Sequence, residues 1–323
     1  MLKELKCVKF EDESKYKKAF LSLTEKLYQP LENMEDKTEI KKLLNNTHPL
    51  SKYFKLDKFL IYQGDEVVAR FVVTTYANDN IAYLGFYECI DNDDVAKFLF
   101  EQLYEFAKKK KYIKIIGPVN ASFWIGYRMK INLFDKLPYT GEPYNKEYYL
   151  KQFKDNGMQI CEHYTSNIYN PVEDEYTNEK YSSRLVEFQN KGYQIISPKA
   201  ENFGDVLKDL YYLLTNLYSD FPIYKDLSLE DFMDVFSRYK KVINMSMVKI
   251  AYFENKMVGF FISVPNYKNK VYRLNFINLL KILKEKNKPK EYVMLYMGVD
   301  SKHTGLRKSI SIFDNARTSK DRT

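Results

Sequence analysis

The chain has 323 residues, 51 Lys and Arg against 43 Asp and Glu for a formal charge of +8, and is 45% hydrophobic and 29% charged. That length is read as two domains with enough apolar side chains for a core in each, and the composition excludes a disordered, collagen-like or disulfide-scaffold chain. The longest apolar run, Met257 to Val264, is far short of the roughly 20 residues a membrane span needs, and the charged N-terminus has no apolar signal region.

In chain order, Leu5 to Phe10 suits a strand and Ser14 to Tyr28 a helix. Phe59 to Tyr76 reads as a hairpin turning at Gly64-Asp65, and Ile81 to Ile90 as a further strand. Asp91, Asn92, Asp93 and Asp94 supply caps and first-turn acids for a helix whose apolar stripe is Val95, Phe98, Leu99, Leu103 and Phe106. Tyr112 to Ile116 is a strand stopped by Gly117-Pro118, so strand, helix and strand imply a right-handed crossover between parallel neighbours.

The second half repeats these parts. Gly192 to Ser197 reads as a strand, with helices over Phe203 to Tyr218 and Ser228 to Tyr239. A second hairpin spans Met247 to Val264, followed by a helical pattern over Val271 to Leu283 and a strand over Glu291 to Val299. Tyr62 to Ala69 matches Tyr252 to Gly259 as apolar strand, polar turn and apolar strand with a small residue at the same place. An internal duplication of an α/β unit is the expectation. The polar, acidic stretch from Asn170 to Lys180 is the boundary candidate, dividing residues 1–170 from 171–323.

Cys7, Cys89 and Cys161, like His48, His163 and His303, are scattered without paired or metal-ligand spacing, so no metal site is expected. The basic run Lys108 to Lys111 closes a helix, where cations suit the negative end of the dipole, and it does not read as a nucleic-acid patch. The expected compartment is the cytoplasm, with neither a membrane nor a nucleic acid as partner.

Two segments could carry chemistry. Gly117 to Asn145 follows a parallel strand and sets Asn120, Glu142, Tyr144 and Asn145 among aromatics, prolines and glycines, at the strand end where α/β sheets build sites. Each asparagine either presents a spare amide to an acceptor or spends it on backbone. Tyr292 to Ile310 is a strand, a polar turn containing Gly305 and an expected helix; helix N-termini expose N–H groups suited to a phosphate.

The order strand, two helices, hairpin, strand, turn and helix resembles the GNAT acyltransferase superfamily. Met297 to Gly305 looks like its fourth strand and pyrophosphate loop. Gly117-Pro118-Val119-Asn120-Ala121-Ser122, with Glu142-Pro143-Tyr144-Asn145 and Tyr148-Tyr149, resembles a group of bacterial GNAT-like proteins with two such domains. The resemblance implies a mixed α/β protein of two tandem GNAT-like domains, each a mixed sheet flanked by helices. The first would lack a phosphate loop and the second would be incomplete at its C-terminus.

It implies acyl-CoA-dependent N-acylation, with acetyl-CoA or another acyl-CoA as co-substrate and a small amine or amino-acid-like acceptor. The acyl-CoA would contact Met297, Val299, Lys302, Thr304, Gly305, Leu306, Arg307 and Ser309. The acceptor would contact Asn120, Glu142, Tyr144 and Asn145. The family loop, Q/R-x-x-G-x-G/A, is not preserved. Counted from Gly298, Thr304 takes the first place, Arg307 the first glycine and Ser309 the last; anchored on Gly305, Lys302 and Arg307 take the outer places. No carboxylate occupies the middle of the strand ending at Val299, which leaves the base unassigned. Two other readings stand beside this one: aminoacyl transfer from charged tRNA, and a non-catalytic ligand-binding protein of the same fold.

Overall fold

In the computed structural model, which describes residues 4–169 and 178–306, the chain divides into two units. The first comprises Met1–His163 with Lys268–Leu274, the second Tyr164–Tyr267 with Asn275–Thr323. The expected boundary at residue 170 lies outside the described residues.

The first unit runs β1 (Leu5–Phe10), α1 (Ser14–Leu27), α2 (Lys37–Leu44), β2 (Phe54–Gln63), β3 (Glu66–Tyr76), β4 (Ile81–Cys89), α3 (Asp93–Lys109), β5 (Lys114–Ile116) and α4 (Tyr149–Asp155). Its sheet has the order β1-β2-β3-β4-β5. Neighbours are antiparallel except β4 and β5, which are parallel as the strand, helix, strand pattern requires. The run EVVARFVVTTY makes β3 buried on both faces. Ala69, Phe71 and Val73 pack with Val95, Leu99 and Phe100 of α3. Arg70, on the other face, donates to the Phe20 carbonyl of α1. The start of α3 is set by Asn92, whose side chain accepts the N–H groups of Asp94 and Val95, with Asp93 and Asp94 in the first turn and Lys108 and Lys109 in the last.

The second unit runs α5 (Glu179–Asn190), β6 (Gln194–Ile196), α6 (Phe203–Tyr218), α7 (Leu229–Ser237), β7 (Val248–Phe253), β8 (Lys256–Pro265), α8 (Phe276–Asn287) and β9 (Tyr292–Val299). Its sheet is antiparallel in the order β6-β7-β8-β9. Phe188, Ile195, Ala251, Val258, Phe261 and Val299 form one of its clusters.

The two hairpins agree in register as well as in pattern. In the first, Ile61 pairs with Ala69 and Tyr62 with Val67, a bulge; in the second, Ala251 pairs with Gly259 and Tyr252 with Met257, the same bulge at the same place. A bulge in matching register is a specific feature of strand pairing rather than a consequence of apolar alternation, and it supports duplication of the unit.

Three elements were not anticipated from the sequence: α2, α4 and α5. The helix expected over residues 271–283 instead begins at Phe276, because the Asn275 side chain accepts the Asn278 N–H at 2.8 Å and caps it there. Residues Ser301–Leu306 form a 3-10 turn, and the helix expected after Gly305 lies outside the described residues.

In β4, Gly85 lies against the segment that follows β5. A methyl group on Gly85 would come 2.0 Å from the Val119 carbonyl oxygen, and that oxygen is main chain whose own N–H is tied to Leu84 O at 2.7 Å. Gly85→Ala should therefore lower the stability of the first unit by at least about 1–3 kcal/mol, the usual range for overpacking, read as a lower urea midpoint.

Candidate functional site

An arginine buried in a strand needs negative partners, since desolvating its charge alone is prohibitive. Arg70, 1% exposed, finds them in the first unit. Its guanidinium pairs closely with Glu35, lies 3.8 Å from Glu88 Oε1 and stacks on the Phe20 ring at 4.3 Å. The β3–β4 register puts Arg70 opposite Glu88, fixing the pair across the sheet.

Glu88 carries further partners. Its Oε2 accepts the Tyr28 hydroxyl at 2.9 Å and the Tyr149 hydroxyl at 2.7 Å. The Tyr149 oxygen in turn accepts the Cys89 N–H at 3.1 Å. Thr24 donates to the far oxygen of Glu35 at 3.2 Å. Burial pushes the Glu88 carboxyl up to about 7 against the opposing pull of Arg70 and the Tyr149 hydroxyl, and the same burial raises Tyr28 and Tyr149 well above the ordinary tyrosine range. The Glu88 side chain is 13% exposed. A carboxyl of this kind changes protonation near neutral pH, as a general base must.

Of the expected acceptor residues, Tyr144 reaches this cluster, and Glu142 reaches Tyr144 through Lys130. The Tyr144 ring lies 6.2 Å from that of Tyr28. Lys130 sits 5.0 Å from the Tyr144 ring and pairs with Glu142 at 3.1 Å, while Lys146 lies 4.8 Å over Tyr28 and 3.5 Å from Glu32. The Asn145 carboxamide is spent on main chain: it accepts the Lys130 N–H at 2.7 Å and donates to the carbonyls of Lys130 and Lys146. Asn120 accepts the Phe86 N–H at 2.6 Å, two residues before Glu88, where Phe86 has a positive φ of 48°. These two asparagines hold the loop to itself and to β4. Two surface grooves, one bounded by Ala19, Lys26 and Glu66 and one by Gly192, Tyr252 and Asn255, include none of these residues.

The second unit has the same strand register without the charges. Ala69 pairs with Cys89 as Gly259 pairs with Val299, so Phe260 opposite Gly298 corresponds to Arg70 opposite Glu88. The space is filled: a methyl on Gly298 would meet Phe260 Cε1 at 2.5 Å and Leu217 Cδ1 at 2.7 Å. Of the residues expected to hold acyl-CoA, Val299 is buried and Met297 is 45% exposed. Beyond the strand, the Asp300 carboxylate accepts the Lys302 N–H at 2.9 Å and the Asp300 carbonyl accepts the His303 N–H at 2.9 Å. His303 Nδ1 lies 2.8 Å from the Tyr193 hydroxyl. Thr304, Gly305 and Leu306 complete the 3-10 turn, and Arg307 and Ser309 lie outside the described residues.

No family model matches the chain, and no curated protein matches it either. Among solved structures, it is similar to a tandem GNAT protein from the clavulanic acid biosynthesis pathway, at 12% identity and a TM-score of 0.46 over 95% of this chain and 94% of that one. It is also similar to an aminoglycoside acetyltransferase from an uncultured soil metagenomic sample, at 13% identity and a TM-score of 0.33 over 52% of this chain and 97% of that one. A third is L-PGS from Bacillus licheniformis, at 11% identity and a TM-score of 0.33 over 98% of this chain and 74% of that one.

Arg70, Glu35, Glu88 and Tyr28 were not singled out in the sequence; the usable signal was one arginine and one glutamate within otherwise apolar strand runs. Two outcomes follow from the geometry. Asn145→Ala should cost about 1–3 kcal/mol of stability by stranding the Lys130 main chain, measured by urea unfolding. For Glu88 the folded state keeps a proton that the unfolded chain, titrating near 4.5, has released. The advantage is therefore full below about 4.5 and is lost as pH rises through about 7. Wild type should lose stability relative to Glu88→Gln across that window, on the order of 1–3 kcal/mol, in paired urea titrations at pH 5 and pH 8.

Proposed function

We propose that the protein is an amine N-acyltransferase of GNAT-like fold whose first unit supplies the proton acceptor, Glu88. The observation that carries this reading is a partly exposed carboxylate on β4, raised to about 7 and held by Tyr28, Tyr149 and Arg70. An acceptor ammonium gives a proton to Glu88; the free amine attacks the acyl carbonyl carbon, the C–N bond forms, and the bond to the donor's leaving atom breaks. With acyl-CoA as donor, the leaving thiolate takes up the proton that the attacking nitrogen sheds as it becomes an amide and departs as free thiol, and Glu88 returns its own proton to solvent. Tyr144, Lys130 and Glu142 line the acceptor side, and Asn120 and Asn145 keep that loop in place.

Within the second unit we propose an acyl-CoA contact along the end of β9, from Met297, Val299 and Lys302 and from Thr304, Gly305, Leu306, Arg307 and Ser309. Among the described residues β9 has a neighbour on one side, and the amides of a pantetheine arm can pair with an open strand edge as a peptide strand does. A non-catalytic binding role has one observation in its favour: the Lys302 N–H that a phosphate would use already faces the Asp300 carboxylate.

Thiol release from acetyl-CoA across a panel of primary amines separates these readings. Glu88→Gln should lower kcat by about 10²–10⁴-fold and remove the rate limb near pH 7. Transfer from aminoacyl-tRNA without thiol release would replace the donor and leave the role of Glu88 standing. Absence of heat with millimolar acetyl-CoA or desulfo-CoA, and of transfer from either donor, would establish the non-catalytic reading.

A further inference from the structure

In the second unit, α8 turns an apolar stripe outward. Phe276, Ile277, Leu279, Leu280 and Leu283 are 75%, 63%, 47%, 53% and 46% exposed. Phe276, Leu280 and Leu283 follow one another at i, i+4 and i+7 along a single helical ridge. The anchored face is the opposite one. Ile282 is 2% exposed, the Lys286 carbonyl accepts from Asn244 at 3.0 Å, and Lys286 Nζ donates to the Lys241 carbonyl at 2.9 Å. The stripe therefore belongs to no core of its own unit.

Charge surrounds it. From Asn275 to Lys290 there are five lysines against one glutamate, a net of +4 out of +8 for the whole chain. Lys281, Lys284, Lys288 and Lys290 are exposed. On the helical wheel Lys281 and Lys284 flank one side of the stripe, and Lys288 and Lys290 continue from the C-terminal end. An exposed leucine and phenylalanine ridge bordered by lysines, whose stems can lie along apolar surface while their heads reach outward, matches an interface that is apolar inside and anionic at its rim.

We infer that α8 is a docking helix for an anionic lipid surface, lying in the plane of the interface with Phe276, Leu280 and Leu283 entering the acyl boundary and its lysines against the headgroups. This contact is peripheral. Among the described residues no helix is long and apolar enough to cross a membrane. It also departs from the expectation, drawn from overall composition, that no membrane is involved, because the feature is confined to one helix.

The test uses the full chain with vesicles of phosphatidylcholine alone and of phosphatidylcholine with about a third phosphatidylglycerol. Co-sedimentation with the anionic vesicles is expected at low salt and should weaken as salt screens the lysines. Lys281→Ala and Lys284→Ala should each weaken it by about fivefold, and Leu280→Ser with Leu283→Ser by about tenfold or more. All four side chains are exposed, so the melting temperature of each variant should stay near that of wild type. As a second readout, Phe276→Trp on a Trp124→Phe background should shift its emission to the blue only with anionic vesicles. Three results would overturn the proposal: equal sedimentation with both compositions, no sedimentation, or a dimer in solution that Leu280→Ser with Leu283→Ser converts to monomer, which would make the stripe an interface between copies.

Discussion

A guanidinium removed from water has to be surrounded by compensating charge, and in the first unit Arg70 imposes that requirement on five residues from four parts of the chain. It takes the Phe20 carbonyl from α1, the Glu35 carboxylate from the residue before the Asp36 cap of α2, and the Glu88 carboxylate from β4. Through Glu88 it reaches Tyr28 at the end of α1 and Tyr149 at the start of α4. Removing one member of such a group leaves an uncompensated charge, which is why breaking buried pairs costs far more than the pairs themselves contribute. Burial of Glu88, against the opposing pull of Arg70 and the Tyr149 hydroxyl, leaves its proton affinity near neutral, and the neighbouring Glu35 adds a smaller push in the same direction.

Much of the fold could be read from the sequence because it rests on local patterns. The ends of β1, α6 and β9, and the capping of α3 by Asn92, follow from alternation, helical periodicity and short polar side chains. The short helix α2 was missed although Asp36 caps it by accepting the N–H groups of Thr38 and Glu39, a signal present in the residues. The start of α8 was also available, in Asn275.

The charged cluster was legible only in part. In the run VVARFVVTT one arginine looks like the polar member of an alternating strand, and so does the glutamate of AYLGFYEC. Nothing local says that strand register sets them opposite each other, or that Tyr28 and Glu35 arrive from a preceding helix and loop. The segment from Gly117 to Asn145 stood out by composition, and it does border the cluster through Tyr144 and Lys130. What composition could not convey is that Asn145 spends its whole carboxamide on main chain and that the Asn120 oxygen is taken by the Phe86 N–H.

The exchange of Arg70 and Glu88 in one unit for Phe260 and Gly298 in the other bears on how the two copies could have parted. From the charged arrangement, losing the glutamate first leaves the arginine short of a partner, while losing the arginine first leaves carboxylates buried together. In the other direction, a side chain at Gly298 collides with Phe260 and Leu217, and an arginine in place of Phe260 has a glycine rather than a glutamate opposite it. Either route between the two states passes through a sequence less stable than both ends, a case where neighbouring substitutions do not add. A valley of that kind keeps the two arrangements apart, so the apolar unit is poorly placed to acquire the charged pair even though its strands hold the register that would position one.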